Sequence, residues 1–166
     1  MNIDQLRTPE VVTTTADQAL ATAAALMRDG HVGALVVVDP ADGKQRPIGM
    51  LTDRDIVRGQ LARRADLYCL SVGDVMTPDP LTLPADMDLG SAIAALNARA
   101  VRRAPVLDRS GRLIGIVTLD DLLPAIAREL SALANLMGTQ AHVESRRALT
   151  PDRARDLSVP YPRPHT

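Results

Sequence analysis

The chain repeats itself, and this constrains its fold more than any other feature. Displaced by sixty-nine positions and without a gap, Ile3, Leu6, Thr8 and Pro9 fall on Val72, Val75, Thr77 and Pro78. Over the same stretch Ala16-Asp17 falls on Ala85-Asp86, and Leu20, Met27, Val32, Val37 and Asp39 fall on Leu89, Leu96, Val101, Val106 and Asp108. Beyond those aspartates the first copy carries a turn three residues longer, after which Gly49, Thr52 and Asp55 meet Gly115, Thr118 and Asp121. A length difference confined to a turn is what a hairpin tolerates best. A repeat of this size cannot bury both faces of a sheet alone. The two copies are therefore expected to pack through their strands into one pseudo-symmetric unit.

Each copy reads as strand, helix, strand, turn, strand, helix. In the first, Val11–Thr13 is a short strand, Asp17–Arg28 carries spaced apolar residues, and Gly30 follows as a stop. Ala34–Val38 is a continuous apolar run rich in β-branched residues, as in a strand buried on both faces. The turn Asp39–Gly43 leads to a strand at Ile48–Leu51 and a helix over Asp53–Ala65. The second copy gives strands at Leu81–Leu83, Ala104–Leu107 and Leu113–Val117, a helix over Asp86–Ala98, and a last helix reaching Met137. Pro124 predicts a kink in that helix or a start delayed to about Leu123. The fold class is thus α/β (α+β), with each repeat a small sheet and two helices. The divisions are repeat one over 1–67, repeat two over 68–137, and a polar, proline-rich tail over 138–166 expected to be mobile.

Gly49-Met50-Leu51-Thr52-Asp53-Arg54-Asp55 and Gly115-Ile116-Val117-Thr118-Leu119-Asp120-Asp121 share one pattern: glycine, two apolar residues, threonine, two residues, aspartate. With the strands Gly33–Asp39 and Arg103–Asp108 before them, they resemble the CBS domain, here as a tandem pair or Bateman module, over about Ile3 to Ser131. Thr52–Asp55 also resembles the phrase in small stand-alone CBS-pair proteins and in the regulatory insert of IMP dehydrogenases. Two departures stand out. Arg7 occupies the place of Met76, and Gly33 and Ala34 occupy the places of Arg102 and Arg103.

The resemblance implies clefts for an adenine nucleotide or related adenosyl ligand (AMP, ADP, ATP, NAD or S-adenosylmethionine) as effector, with no cofactor required. Such a site needs an apolar slot, a carboxylate for the ribose diol and donors for phosphate. By resemblance Asp55 and Asp121 would accept from ribose hydroxyls, and Thr52 and Thr118 would donate near the first phosphate. The base would lie against Val12, Thr13, Pro80 and Leu81, with Ile48 or Leu113 behind. Thr followed by Asp three residues later is also nearly a capping box, which steadies a helix start without a ligand. Arg102 and Arg103 suit phosphate, their guanidinium forks matching its oxygens, and equally suit a solvated turn. Because they occur only in repeat two, that repeat's site is expected to prefer phosphate charge, and Asp121→Ala to weaken binding more than Asp55→Ala. Arg54 and Arg58, four apart on one helix, could reach a cleft or pair with surface carboxylates; the surface reading is favoured.

Other chemistry is not expected. His31, His142 and His165 are scattered, so no metal site is implied. Cys69 stands without a nearby histidine and cannot form an internal disulfide. No base pairs with a nucleophile, and the chain is not expected to be an enzyme. With a formal charge of -1 and only Tyr68 and Tyr161 as aromatics, nucleic acid is not an expected partner. No apolar run approaches a bilayer span and no signal peptide is evident, so a cytoplasmic chain is expected. Homodimerisation is expected through the helices Asp17–Arg28 and Asp88–Ala98, where Ala92, Ala95 and Ala98 would allow close approach. Leu130, Leu133, Leu136 and Met137 would extend that contact. A separate effector protein would read the ligand state in signal transduction. The alternative is a constitutive interaction or stress protein with vestigial clefts.

Overall fold

The run Ala34-Leu35-Val36-Val37-Val38-Asp39 has no polar side chain before its final residue, and Leu35 through Val38 are indeed buried. The computed structural model describes residues 1–41, 43 and 45–148, with side chains as far as Met137. In chain order its elements are β1 (Thr13–Thr14), α1 (Leu20–Asp29), β2 (Ala34–Asp39), β3 (Arg46–Thr52) and α2 (Asp53–Arg63). There follow α3 (Val72–Val75), β4 (Thr77–Pro78), β5 (Leu83–Pro84), α4 (Leu89–Ala98), β6 (Arg103–Leu107), β7 (Leu113–Thr118) and α5 (Leu119–Ala148). Single 3-10 turns lie at Ile3–Gln5 and Leu67–Cys69.

The duplication is written into the sheets. One runs β1-β2-β3-β4 and the other β5-β6-β7. In each, the short first strand is parallel to its neighbour and the hairpin is antiparallel. Register shifts fall at the equivalent places Val37/Val38 and Val106/Leu107. His31 and Ala100, another equivalent pair, both take a left-handed turn at the end of a helix. The shorter second hairpin closes on Asp108, whose Oδ1 accepts from the amides of Ser110 and Arg112.

The leading segments of the two repeats change places. Thr77 of β4 pairs with Met50 of β3, and Thr8 pairs with Ile116 of β7. Ile3 is buried among Leu83, Leu96, Val106 and Val117, whereas Val72 is buried among Leu20, Leu35, Leu51 and Ile56. Arg7 lies across Gly115 as Met76 lies across Gly49. Its guanidinium is spent on the Ile114 carbonyl at 2.7 Å and Asp4 at 2.8 Å. A boundary at residues 67 and 68 therefore marks the period of the sequence, while packing joins each leader to the other repeat.

A third apolar cluster, Val36, Val38 and Leu113 with Val11, Met50, Leu107 and Ile116 against it, joins the two sheets face to face. Both repeats belong to one compact unit, Met1–Ala125; a second begins at Ile126. The helix expected to start late begins at Leu119 and contains Pro124, which removes one backbone hydrogen bond but leaves the Thr118 start intact. That helix continues to Ala148, past the expected boundary at Gly138; the rest of the expected tail lies outside the described residues. Ala92 and Leu96 of α4 and Ala23 and Met27 of α1 are core residues, so those faces are used within the chain. The outward-facing large apolar side chains lie instead on α2 and α5.

Candidate functional site

Thr52 ends β3 in extended conformation and caps α2. Its hydroxyl and amide both donate to Asp55 Oδ2, at 2.6 and 2.9 Å, and the Asp55 amide donates back to Thr52 Oγ1 at 3.2 Å. The capping-box reading of this motif is thus realised. Among the described residues, however, Asp55 Oδ1 accepts nothing, so one oxygen of a half-buried carboxylate stays open. Thr118 repeats the arrangement, donating to Asp121 Oδ2 from its amide at 2.8 Å and its hydroxyl at 2.7 Å.

Beside Thr52 and Asp55 opens a cavity of about 640 Å³, within the usual range for small-molecule sites. Its walls come from both repeats. Repeat one supplies Gly33, Met50 and the start of α2 from Thr52 to Asp55, with Arg58 one turn on; repeat two supplies Thr77–Leu81, Arg99 and Val101–Arg103. Met50, Pro78, Pro80, Leu81 and Val101 make an apolar side suited to a flat ring. Five arginines and three aspartates make the polar side. Arg99 is engaged with Asp79, donating to its carboxylate and carbonyl at 3.0 Å each. That clamp holds Asp79 at φ +52, a left-handed conformation that aspartate tolerates better than most residues. Among the described residues the guanidinium groups of Arg54, Arg58, Arg102 and Arg103 form no hydrogen bond or ion pair.

The cavity gathers six of the residues singled out from the sequence: Thr52, Asp55, Arg102, Arg103, Pro80 and Leu81. Thr118, Asp121, Val12, Thr13, Ile48 and Leu113 lie elsewhere: Ile48 packs on the first core, Leu113 sits between the sheets, and Thr13 pairs with Val36. The expectation that both arginines serve the Thr118–Asp121 site is overturned, because they share the cavity of Thr52 and Asp55. The exchange of leaders explains this: β4 joins the sheet of β3, and the chain returning from it lays the repeat-two segments over the start of α2. Arg54 and Arg58, read as surface residues, also line it. Asp79 and Arg99 were missed, although the turn phrase Pro78-Asp79-Pro80 was a visible signal. A second cavity, about 260 Å³, lies by Asn2, Asp4, Asp86 and Asp108. Among the described residues no group of three or more His, Cys, Asp or Glu is placed to hold a metal.

A family model for the CBS domain matches residues 3–62 and again residues 72–128. The chain belongs to the CBS domain family. This CBS pair is 33% identical over 144 residues to the CBS domain-containing protein YhcV of Bacillus subtilis, covering 85% of this chain and 99% of that one. It is 28% identical over 123 residues to an uncharacterised protein of Methanopyrus kandleri, covering 74% of this chain but only 61% of that protein's length. Among solved structures it is similar to CBSX2 in complex with AMP, with a TM-score of 0.64, 28% identity, and coverage of 76% of this chain and 96% of that one. CBSX2 from Arabidopsis thaliana gives a TM-score of 0.66 at 27% identity, covering 78% and 96%.

Proposed function

We propose that this CBS pair is a regulatory module, without catalysis of its own, that binds an adenine nucleotide in the cavity beside Thr52 and Asp55. One observation carries the reading. A single cavity joins an apolar wall, a carboxylate with an open oxygen, and guanidinium groups that have no protein partner. Those are the three kinds of group that base, ribose and phosphate require. The likeness to a solved CBS pair holding AMP supports the same reading. Asp55 Oδ1 would accept from the ribose diol while Oδ2 keeps the start of α2 in place. Cap and site then use the two oxygens of one carboxylate.

Occupancy would act by population shift, favouring one arrangement of a homodimer that a separate effector protein reads. Support for a homodimer comes from α2, where Val57 and Leu61 are 56% and 75% exposed. Isothermal titration with AMP, ATP, NAD and S-adenosylmethionine tests the ligand class. A nucleotide should bind, and Asp55→Ala should weaken it roughly tenfold, the loss of about one hydrogen bond to a charged group. Asp121→Ala should leave it within about twofold. Flat traces for all four ligands would instead favour a constitutive interaction protein.

A further inference from the structure

We infer that the cavity ranks its ligands by phosphate count, with Arg54 and Arg58 of α2 holding phosphates beyond the one that Arg102 and Arg103 can take. This rests on the nucleotide reading above and narrows it to the di- and triphosphate class.

Arg54 and Arg58 stand four residues apart on one helix and line one cavity. Like charges at that spacing repel. On an ordinary solvated face each would have a carboxylate nearby, yet among the described residues neither has one within ion-pair reach. Asp53, the nearest acid in sequence, turns its Oδ1 to the Arg54 amide at 2.7 Å instead of to a guanidinium. Arg102 and Arg103 add two further unpaired cations to the same walls. A monophosphate carries about two negative charges, which that second pair already matches. Only a longer phosphate chain would also neutralise the α2 pair.

The cation surplus belongs to this cleft and not to the repeat as such. Where Arg54, Arg58, Arg99, Arg102 and Arg103 stand, the equivalent positions of the other repeat hold Asp120, Pro124, Gly30, Gly33 and Ala34. Repeat pairing alone would not concentrate five arginines on one side. Guanidinium forks suit phosphate oxygens, and the positive end of α2 adds to the attraction.

Isothermal titration of the full chain in magnesium-free buffer, using adenosine, AMP, ATP and inorganic tripolyphosphate, tests this. ATP should bind at least about tenfold more tightly than AMP. Tripolyphosphate should bind and compete with ATP. The double variant Arg54→Ala with Arg58→Ala should lose that preference while holding AMP within about twofold, and Arg58→Gln alone should lose part of it. Both positions are exposed, and a thermal melt verifies that the variants fold. Equal binding of AMP and ATP, or a preference that survives the double substitution, would overturn the inference and leave the nucleotide reading standing. Binding of tripolyphosphate at least as tight as that of ATP, with none of adenosine or AMP, would sustain the phosphate subsite and remove the adenine site. Silence with every probe would overturn both.

Discussion

Gly59 faces Val75 where α2 meets α3, and a Cβ at Gly59 would overlap Val75 Cγ1. Alanine should raise helix propensity by about 1 kcal/mol, but the side chain it meets belongs to a packed core and can move only by displacing others. Overpacking of that kind costs about 1–3 kcal/mol. Gly59→Ala is therefore expected to lower the thermal midpoint, and a midpoint that rises would show that α3 can shift away freely. The same balance of local preference and packing governs Thr52 and Asp55. Their spacing was legible as a cap and as a site, and the two were rivals only while the carboxylate counted as one acceptor. In space it has two oxygens, and the cap takes one of them.

Among the elements, α4 shows how a helix start ties stability to pH. Asp88 Oδ2 accepts from the Ser91 hydroxyl, and its Oδ1 accepts from the Ser91 amide at 3.0 Å. The hydroxyl bond first, and the amide bond after it, hold the Asp88 carboxyl below the usual carboxylate range. A carboxyl lowered by folding stabilises fully above its unfolded value of about 3.9 and loses that contribution as pH falls through the folded value. Thermal midpoints should accordingly decline in acid below about pH 4. Asp88→Asn, still a good cap but unable to titrate, should decline less over that window; an unchanged slope would remove Asp88 from the account. Strand and helix types were readable from the apolar pattern, whereas several starts were not. The first helix was expected from Asp17 but begins at Leu20, because Gln18 and Ala19 are engaged with Ser71 and Val72 of the other repeat's leader. The short β4 was missed for the same reason, since a two-residue strand exists only through its partner.

For the molecule as a whole, the faces of α1 and α4 that looked free for a second copy are consumed by the two cores, leaving Val57 and Leu61 outward on α2. Two such side chains on one exposed helix face are expected to be covered by a second copy. Leu61→Arg should reduce a dimeric mass to a monomeric one in light scattering after size exclusion without lowering the thermal midpoint of the monomer. A wild-type chain of monomeric mass would contradict that surface assignment. The sequence by itself determined the duplication, the buried strands, the hairpins and both Thr–Asp starts, because each depends on residues close together in the chain. Which arginines meet which aspartate was decided only by tertiary structure. The leaders exchange partners across the sheets, and a period counted along one chain carries no record of which copy each segment packs against.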